Sequence, residues 1–328
     1  MISKLQIYQS NSFDPYTNLA IERYLLETVK ADTCILYLWQ NQNTVVIGRN
    51  QNAWAECRVS VLEAEGGKLA RRLSGGGAVF HDLGNLNFTF IMATDNYDLS
   101  RQQQVIQTAC SYAGISTEVS GRNDLLADGK KFSGNAFYHS KGRSYHHGTL
   151  LINVDGEKLQ RYLSPPKAKL EAKGVRSVRS RVINLKELNS TLTCEQMKQH
   201  MIDAFGAVYG LVPKTLCLTP EDLQAAEKLR QEMADPAFLF GAPLPFTFAC
   251  EEHFPWGHIR LELEASSGHI TQAVAYSDAM DWTVSFQIQQ ALTGCSFRLD
   301  AMCAALQDIL EDPQTATDLC QLLKAQDI

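Results

Sequence analysis

The sequence predicts an α+β protein whose sheets are largely antiparallel, with one large domain and a smaller one. Two observations support the fold class, and the length and composition support the number of domains. Helical and strand patterns follow one another irregularly, without the strand–helix–strand rhythm of a parallel sheet. Tight-turn dipeptides such as Asp128-Gly129 separate neighbouring strand patterns, as in antiparallel hairpins. The chain has 328 residues, 45% of them hydrophobic and 20% charged, which suits one large globular domain and a smaller one.

The first third of the chain begins with a helix and continues in strands. We expect a helix over 14–29, because Asp14 can cap it and Pro15 suits its first turn. Apolar runs bounded by turn residues follow, and they predict strands at 35–39, 44–47 and 86–92.

The middle of the chain combines a helix with two turns. The helix is expected over about 101–113, where Gly114 can end it. The dipeptides Asp128-Gly129 and Lys141-Gly142 then predict turns between strands at 125–127, 131–137 and 145–153. Because side chains alternate along a strand, we expect Lys131, Ser133 and Asn135 to share one face.

Two capped helices come next. Thr193 and Gln196 form the capping box of one, and Thr219-Pro220 opens the other, with Leu223 on its inward face. The proline-rich stretch 235–245 is interpreted as a linker. Beyond it, a hairpin and short helices predict a small α+β C-terminal domain, so the expected domains are 1–246 and 247–328.

Composition excludes several classes of function. The net charge of −6 argues against a general nucleic-acid binder, and no run of 18 apolar residues predicts a membrane span. Nine cysteines without a CxxC pair argue against a disulfide framework or a zinc site, and they indicate a reducing, cytoplasmic environment.

A glycine-rich loop is the sharpest chemical feature. Three consecutive glycines, at 75–77, leave the backbone open to a ligand, and their N–H groups can converge on an anion. Arg71 and Arg72 add positive charge just upstream. The glycines alone are more often a surface turn, and the loop matches neither a dinucleotide fingerprint nor a P-loop.

Two basic features accompany this loop. Lys131 projects from an expected strand beside small residues and could neutralise a phosphate, whereas Lys130 fits a solvated turn lysine better. The segment 164–182 holds six cationic residues and one acid, a net charge of +5, which is typical either of a lid over a polyanion or of a surface that docks an acidic protein. His146 and His147 are adjacent on a strand and therefore face opposite ways, which argues against a shared metal site.

These stretches together resemble the lipoate–protein ligase A family. The resemblance rests on residues 44–54, 71–85, 121–124, 131–134, 146–150 and 172–182, and it extends over nearly the whole chain. It implies a fold like the catalytic domain of biotin–protein ligases and class II synthetases, with a C-terminal accessory domain. It also implies a two-step reaction in which lipoate and ATP give lipoyl-AMP, whose lipoyl group passes to a lysine of an acceptor domain in 2-oxoacid dehydrogenase complexes or the glycine cleavage H protein.

The resemblance also implies roles for residues. The nucleotide would be bound by Arg72, Gly77, Ala78, Val79, Phe80 and Lys131. Lipoate would be bound by Lys131, Ser74, Gly75, Gly76, Asn85 and His147, with Trp39 and Glu22 along its tunnel. Lys131 would be the central catalytic cation, and Mg²⁺ would accompany ATP, with Asp124 as its candidate partner. The lid would include Lys173, Arg176, Arg179 and Arg181.

Two other functions remain open at this point. An ATP-independent octanoyl or lipoyl transferase would share the fold and carry the acyl group on a cysteine thioester. A non-catalytic lipoate carrier would bind without reacting. The basic segment and the C-terminal extension favour the adenylating ligase over the transferase, and the retained Arg72, glycines and Lys131 disfavour the carrier.

Overall fold

Two units make up the fold of the computed structural model, which describes residues 1–121, 124–163, 182–240, 248–266 and 268–326. The first unit comprises Met1–Val46, Cys57–Ala70 and Val79–Leu239, and the second comprises Ile47–Glu56, Arg71–Ala78 and Phe240–Ile328. The expected boundary at 246 lies outside the described residues, as does the second half of the expected linker, and it stays a prediction.

The elements have the following bounds. The strands are β1 Lys4–Gln9, β2 Thr33–Trp39, β3 Thr44–Ile47, β4 Lys68–Arg71, β5 Val79–His81, β6 Asn85–Ala93, β7 Glu118–Ser120, β8 Asp124–Ala127, β9 Lys130–Ser140, β10 Arg143–Leu151, β11 Lys214–Thr215, β12 Phe248–Phe254, β13 Gly257–Ser266 and β14 His269–Ser277. The helices are α1 Pro15–Thr28, α2 Ala53–Glu56, α3 Val59–Ala64, α4 Leu99–Tyr112, α5 Gly156–Tyr162, α6 Cys194–Tyr209, α7 Pro220–Ala234, α8 Pro236–Phe240, α9 Thr283–Leu292, α10 Leu299–Ile309 and α11 Pro313–Lys324.

A mixed eight-stranded sheet organises the first unit, in the order β11-β1-β2-β6-β10-β9-β8-β7. β1 runs parallel to β2 and β11, and every pair from β2 to β7 is antiparallel, so the predicted α+β fold with largely antiparallel sheet is confirmed. Apolar residues of α4 and α6 pack with one sheet face in a common core. Helix α1 lies against β6 and β10.

Local signals define most of the helix ends. The Asp14 carboxylate accepts the Thr17 N–H at the start of α1, and Thr193 and Gln196 form the predicted capping box of α6. Thr219 caps α7 as expected, but Leu223 is 48% exposed, so its predicted inward position is wrong. The first part of the expected linker is helical, as α8.

The second unit has its own core. β12, β13 and β14 form an antiparallel sheet whose apolar residues pack with those of α9, α10 and α11. Two segments from the first third of the chain, 47–56 and 71–78, belong to this unit as well. Within the described residues, the structure contains no helix with the length and apolar character that crossing a membrane requires.

Candidate active site

A row of polar side chains lies along one face of β6. Asn85, Asn87 and Thr89 alternate with apolar core residues, and all three are buried. The Asn85 amide donates to Asn87 Oδ1 at 2.9 Å, while Asn85 Oδ1 and Asn87 Nδ2 have no hydrogen-bond partner among the described residues. Because unpaired buried amides are costly, this row is suited to the polar groups of a ligand.

A buried carboxylate from α1 extends this polar row. Glu22 is 2% exposed, and its Oε1 accepts a hydrogen bond from Thr89 Oγ1 at 2.7 Å and lies 2.8 Å from His147 Nδ1. Thr89 Oγ1 in turn accepts from the Trp39 indole at 3.1 Å. One carboxylate therefore fixes the orientation of the His147 ring and, through Thr89, of the Trp39 ring.

Lys131 reaches the same face from β9. Leu126 pairs with Lys131 and Leu125 pairs with Ser133, so Phe132 is the extra residue of a β-bulge. The Lys131 ammonium lies 2.7 Å from Asp124 Oδ1, and each of the two side chains is about one-third exposed, at 37% and 35%.

A glycine leaves room for this ammonium. A Cβ at Gly134 would lie 3.1 Å from both Cε and Nζ of Lys131. The Gly134 N–H donates to Thr149 Oγ1, and Thr149 pairs with Asn87 across β10 and β6. The ammonium therefore belongs to the polar face of the sheet and is accessible from solvent.

The expectation that Lys131, Ser133 and Asn135 share a face is wrong. Asn135 Oδ1 lies 2.8 Å from His146 Nε2, and His146 Nδ1 lies 2.9 Å from Gln102 of α4, on the core side of the sheet. The bulge at Phe132 is the physical reason, because one extra residue reverses the alternation of side chains.

The two adjacent histidines have different environments, as the sequence predicts. His146 is fully buried, and burial, with a smaller contribution from His147, lowers its pKa to about 3, so the ring is neutral. His147 faces Glu22 instead. No group of three potential metal-ligating side chains occurs in the part of the chain that the structure describes.

The glycine-rich loop lies in the second unit and is braced by Arg72. The guanidinium is 6% exposed and donates to the carbonyls of Gly75 and Gly77 at 2.7 and 2.8 Å, and to Ser74 Oγ at 3.1 Å. In the described ranges, no hydrogen-bond acceptor is found for the N–H groups of Gly77 and Ala78. Arg72 therefore shapes the loop from within.

Arg71 is a structural residue rather than a free cation. It is buried, and its Nη1 donates to the carbonyls of Gly48, Arg49 and Gln51 at 2.7–3.1 Å. Burial lowers its pKa to about 10. The sequence treats the two arginines as equivalent sources of charge, whereas both are engaged by main-chain carbonyls.

Comparison with known proteins identifies the family. Residues 14–206 match the family described as the lipoyl protein ligase A/B catalytic domain, and residues 244–323 match the bacterial lipoate protein ligase C-terminus. The lipoate-protein ligase A of Psychrobacter cryohalolentis is 41% identical over 302 residues, which cover 90% of this chain and 89% of that protein. The chain belongs to the lipoate–protein ligase A family.

Solved structures of relatives share this fold. P. falciparum LipL1 in complex with lipoate superposes with a TM-score of 0.83 at 26% identity, over 98% of this chain and 99% of that one. A lipoate-protein ligase A bound with ATP gives 0.64 at 23% identity, over 74% and 99%. A bipartite ligase solved with its E2 lipoyl domain from Thermoplasma acidophilum gives 0.66 at 23% identity, over 76% and 100%.

The residues that the family resemblance singles out are divided between the two units. The first unit holds Lys131, Asp124, Asn85, His147, Trp39, Glu22, Val79 and Phe80, and the second holds Arg72, Ser74, Gly75, Gly76, Gly77 and Ala78. The Phe80 ring is buried against Tyr162, at 5.4 Å between centroids, so that ring is a core group. The lid residues Lys173, Arg176, Arg179 and Arg181 lie outside the described residues.

Sequence reasoning missed Asn87 and Thr89 in this lipoate–protein ligase family member. Both lie in a strand whose even-numbered residues are large and apolar, and both are buried. The signal was present in the sequence Asn85-Leu86-Asn87-Phe88-Thr89, where polar residues alternate with core residues inside a strand that neighbours cover on both sides.

Proposed function

We propose that this chain is a lipoate–protein ligase that activates lipoate with ATP and then transfers the lipoyl group to a lysine of an acceptor domain. The observation that carries the proposal is the Lys131 ammonium beside the buried polar row, in a chain 41% identical to a curated ligase of this name. In the first step a lipoate carboxylate oxygen attacks the α-phosphorus of ATP, and pyrophosphate leaves. In the second step the acceptor amine attacks the lipoyl carbonyl, and AMP leaves.

Lys131 acts as a fixed cation in both steps. Negative charge develops on the α-phosphate during activation, and an ammonium held within hydrogen-bonding distance stabilises it. The Asp124 carboxylate orients the Lys131 ammonium until substrates arrive. Asn85, with His147 held by Glu22, supplies polar contacts to lipoate, and Trp39 borders its apolar chain.

The nucleotide is bound by the glycine loop. The N–H groups of Gly77 and Ala78, which have no acceptor in the described structure, are suited to phosphate oxygens, and the main chain of Val79 and Phe80 continues this edge. Arg72 serves the nucleotide by holding the loop carbonyls inward. Ser74, Gly75 and Gly76 complete the loop, and we assign them to lipoate binding.

Asp124 is suited to serve as a ligand of Mg²⁺. Mg²⁺ bound with ATP needs one or two carboxylates, since phosphates and waters supply its other ligands. Asp124 is a partly exposed carboxylate beside the catalytic lysine. Mg²⁺ would neutralise phosphate charge when bound with ATP, and Asp124 would supply it with a carboxylate ligand.

The acceptors we propose are lipoyl domains of 2-oxoacid dehydrogenase complexes and the glycine cleavage H protein. The Thermoplasma acidophilum ligase solved with its E2 lipoyl domain supports this class of partner. Residues 173–181 would form the basic lid beside such a domain. Nine unpaired cysteines support a reducing, cytoplasmic location.

Three buried cysteines are poor candidates for the nucleophile of the transferase alternative. Cys34, Cys57 and Cys110 are buried, and burial raises the pKa of each thiol to about 12. A thiol with a raised pKa is a poor nucleophile at neutral pH. None of these three thiols is therefore suited to carry the acyl group of a transferase.

The test separates the three functions in one assay. The protein is incubated with lipoate and an acceptor domain, with and without ATP, and pyrophosphate release and acceptor modification are both measured. A ligase releases pyrophosphate only with lipoate and modifies the acceptor only with ATP. ATP-independent modification from an acyl donor protein would instead support the transferase, and binding without either product would support the carrier.

A further inference from the structure

The segment that joins β14 to α9, residues 277–282, touches the glycine loop within the second unit. The Gly76 N–H donates to the Ala279 carbonyl at 3.0 Å. A Cβ at Gly75 would lie only 2.2 Å from that same carbonyl oxygen, and one at Gly76 would lie 3.4 Å from Met280 Sδ. The loop and this segment therefore meet backbone to backbone at Gly75, with no space for a side chain there.

The same segment also holds the stretch 49–50, which borders the loop. The Ser277 N–H donates to the Asn50 carbonyl at 2.9 Å, and the Asn50 amide donates to the Trp282 carbonyl at 2.7 Å. The Arg49 guanidinium lies over the Trp282 ring, 4.8 Å from its centroid. Arg49 also contacts the glycine loop directly, because its main-chain N–H donates to the Ser74 carbonyl at 2.9 Å.

These contacts leave one part of the loop open. Arg72 holds the loop from within, and residues 277–282 hold Gly75 and Gly76 from outside. A Cβ at Gly77 would meet nothing within 4 Å, so this side of Gly77 faces open space, although Arg72 holds the Gly77 carbonyl. Residues 277–282, which we call the clamp, bond the Gly76 N–H but not the Gly77 and Ala78 N–H groups that are proposed to bind phosphate.

We propose that residues 277–282 position the nucleotide loop, with Trp282 as the anchoring residue through Arg49 and Asn50. This inference rests on the proposed role of the loop in ATP binding. The clamp sets the direction of the Gly77 and Ala78 N–H groups, and its residues act as positioning residues rather than as ligands of the nucleotide. The rate of transfer from preformed lipoyl-AMP at saturation does not depend on the clamp, because the adenylate phosphate is then already bound.

The test compares Trp282→Ala with Trp282→Phe in the full chain. Loss of the cation–π contact predicts a rise of about 3- to 10-fold in the KM for ATP in lipoate-dependent pyrophosphate release, with the KM for lipoate unchanged. Trp282→Phe keeps a ring beneath Arg49 and restores most of the affinity. Transfer from preformed lipoyl-AMP stays at the wild-type rate. Phe286→Ala, in which an exposed aromatic of α9 is removed, is the matched control.

Two further variants keep the result decisive. If Trp282→Ala does not fold, Asn50→Ala, which removes the amide donor to the Trp282 carbonyl without adding charge, replaces it and predicts the same selective rise. An unchanged KM for ATP, or an equal loss in ATP use and transfer, would overturn the clamp. Gly77→Asp tests the loop itself: if it leaves ATP use intact, the nucleotide assignment fails, and if it weakens ATP while Trp282→Ala does not, only the clamp fails.

Discussion

The glycines of the loop region are of two kinds at the level of single residues: those required by packing and those that are not. A Cβ at Gly48 would lie 2.1 Å from the Gly76 carbonyl, and one at Gly75 would lie 2.2 Å from the Ala279 carbonyl, whereas Gly77 faces open space. The first two are therefore required by packing. Gly77 is a glycine for which the protein itself gives no packing reason, which is what close approach of a ligand to the backbone would produce.

Gly77→Ala tests this distinction. We expect the free energy of unfolding to stay the same or to rise by less than about 1 kcal/mol, because the Cβ meets no atom and alanine restricts the unfolded chain. We expect the KM for ATP to rise, because the methyl group would occupy the ligand's approach. Urea denaturation and pyrophosphate release measure the two quantities.

Gly75→Ala is the control for that experiment. Its Cβ overlaps a main-chain oxygen that cannot move alone, so we expect a destabilisation of about 1–3 kcal/mol, typical of overpacking. A Gly77→Ala protein that is as destabilised as Gly75→Ala, or that binds ATP normally, would show that Gly77 is an ordinary loop glycine.

Among the helices and strands, the ends that neighbouring residues determine could be predicted from the sequence. Helix caps at Asp14 and Thr193 were predictable from neighbouring residues, as was the tight turn at Asp128-Gly129, where both residues have positive φ. The bulge at Phe132 was not predictable, because it is a mismatch between two strands. That mismatch decides which face receives Lys131, so the lysine could be singled out from the sequence but not its neighbours.

The start of α1 has a pH dependence that can be measured. Asp14 ion-pairs with Lys68 at 2.6 Å and accepts the Thr17 N–H. Burial alone would raise the pKa of this carboxyl, but the hydrogen bonds from Lys68 and Thr17 lower its pKa below the usual range overall. Its stabilising contribution is therefore complete above the unfolded-state pKa and is lost as the pH falls through the lower folded-state value.

Asp14→Asn measures this contribution. Asparagine keeps the cap but removes the charge, so we expect a loss of about 1 kcal/mol at pH 7 and a smaller difference from the wild type as the pH falls below about 4. Denaturant unfolding of both proteins across this pH range is the measurement. A difference that does not change with pH would mean that the charge of Asp14 does not stabilise the fold.

At the scale of the whole molecule, charge is unevenly distributed along the chain. The protein has a net charge of −6, yet residues 164–182 carry +5. If acidic acceptor domains dock on this segment, the acceptor KM for transfer from preformed lipoyl-AMP should rise between about 0.05 and 0.3 M salt, since the screening length roughly halves over that range. A constant KM would reject electrostatic docking and leave the ligase assignment intact.

The membership of the two units was also beyond sequence reasoning. Residues 47–56 and 71–78 lie more than 160 positions before the C-terminal residues with which they form a unit. Their glycines and arginines were visible in the sequence, but their partners were not, because backbone-to-backbone contacts such as that of Gly76 with Ala279 leave no compositional pattern. The capacity of the loop to bind an anion could therefore be predicted from the sequence, but the contacts that hold the loop in place could not.

The central claim is that the Lys131 ammonium stabilises the charge that develops when lipoate is adenylated, and lipoate-dependent pyrophosphate release by Lys131→Ala tests it most directly. The matched control is Lys130→Ala, on the same strand and opposite Ala127. Loss of a charged hydrogen bond at the reacting phosphate costs roughly 3 kcal/mol, so the account predicts about a hundredfold slower release by folded Lys131→Ala and a nearly normal rate for Lys130→Ala. Near-normal pyrophosphate release by Lys131→Ala, or an equal loss in both variants, would contradict it.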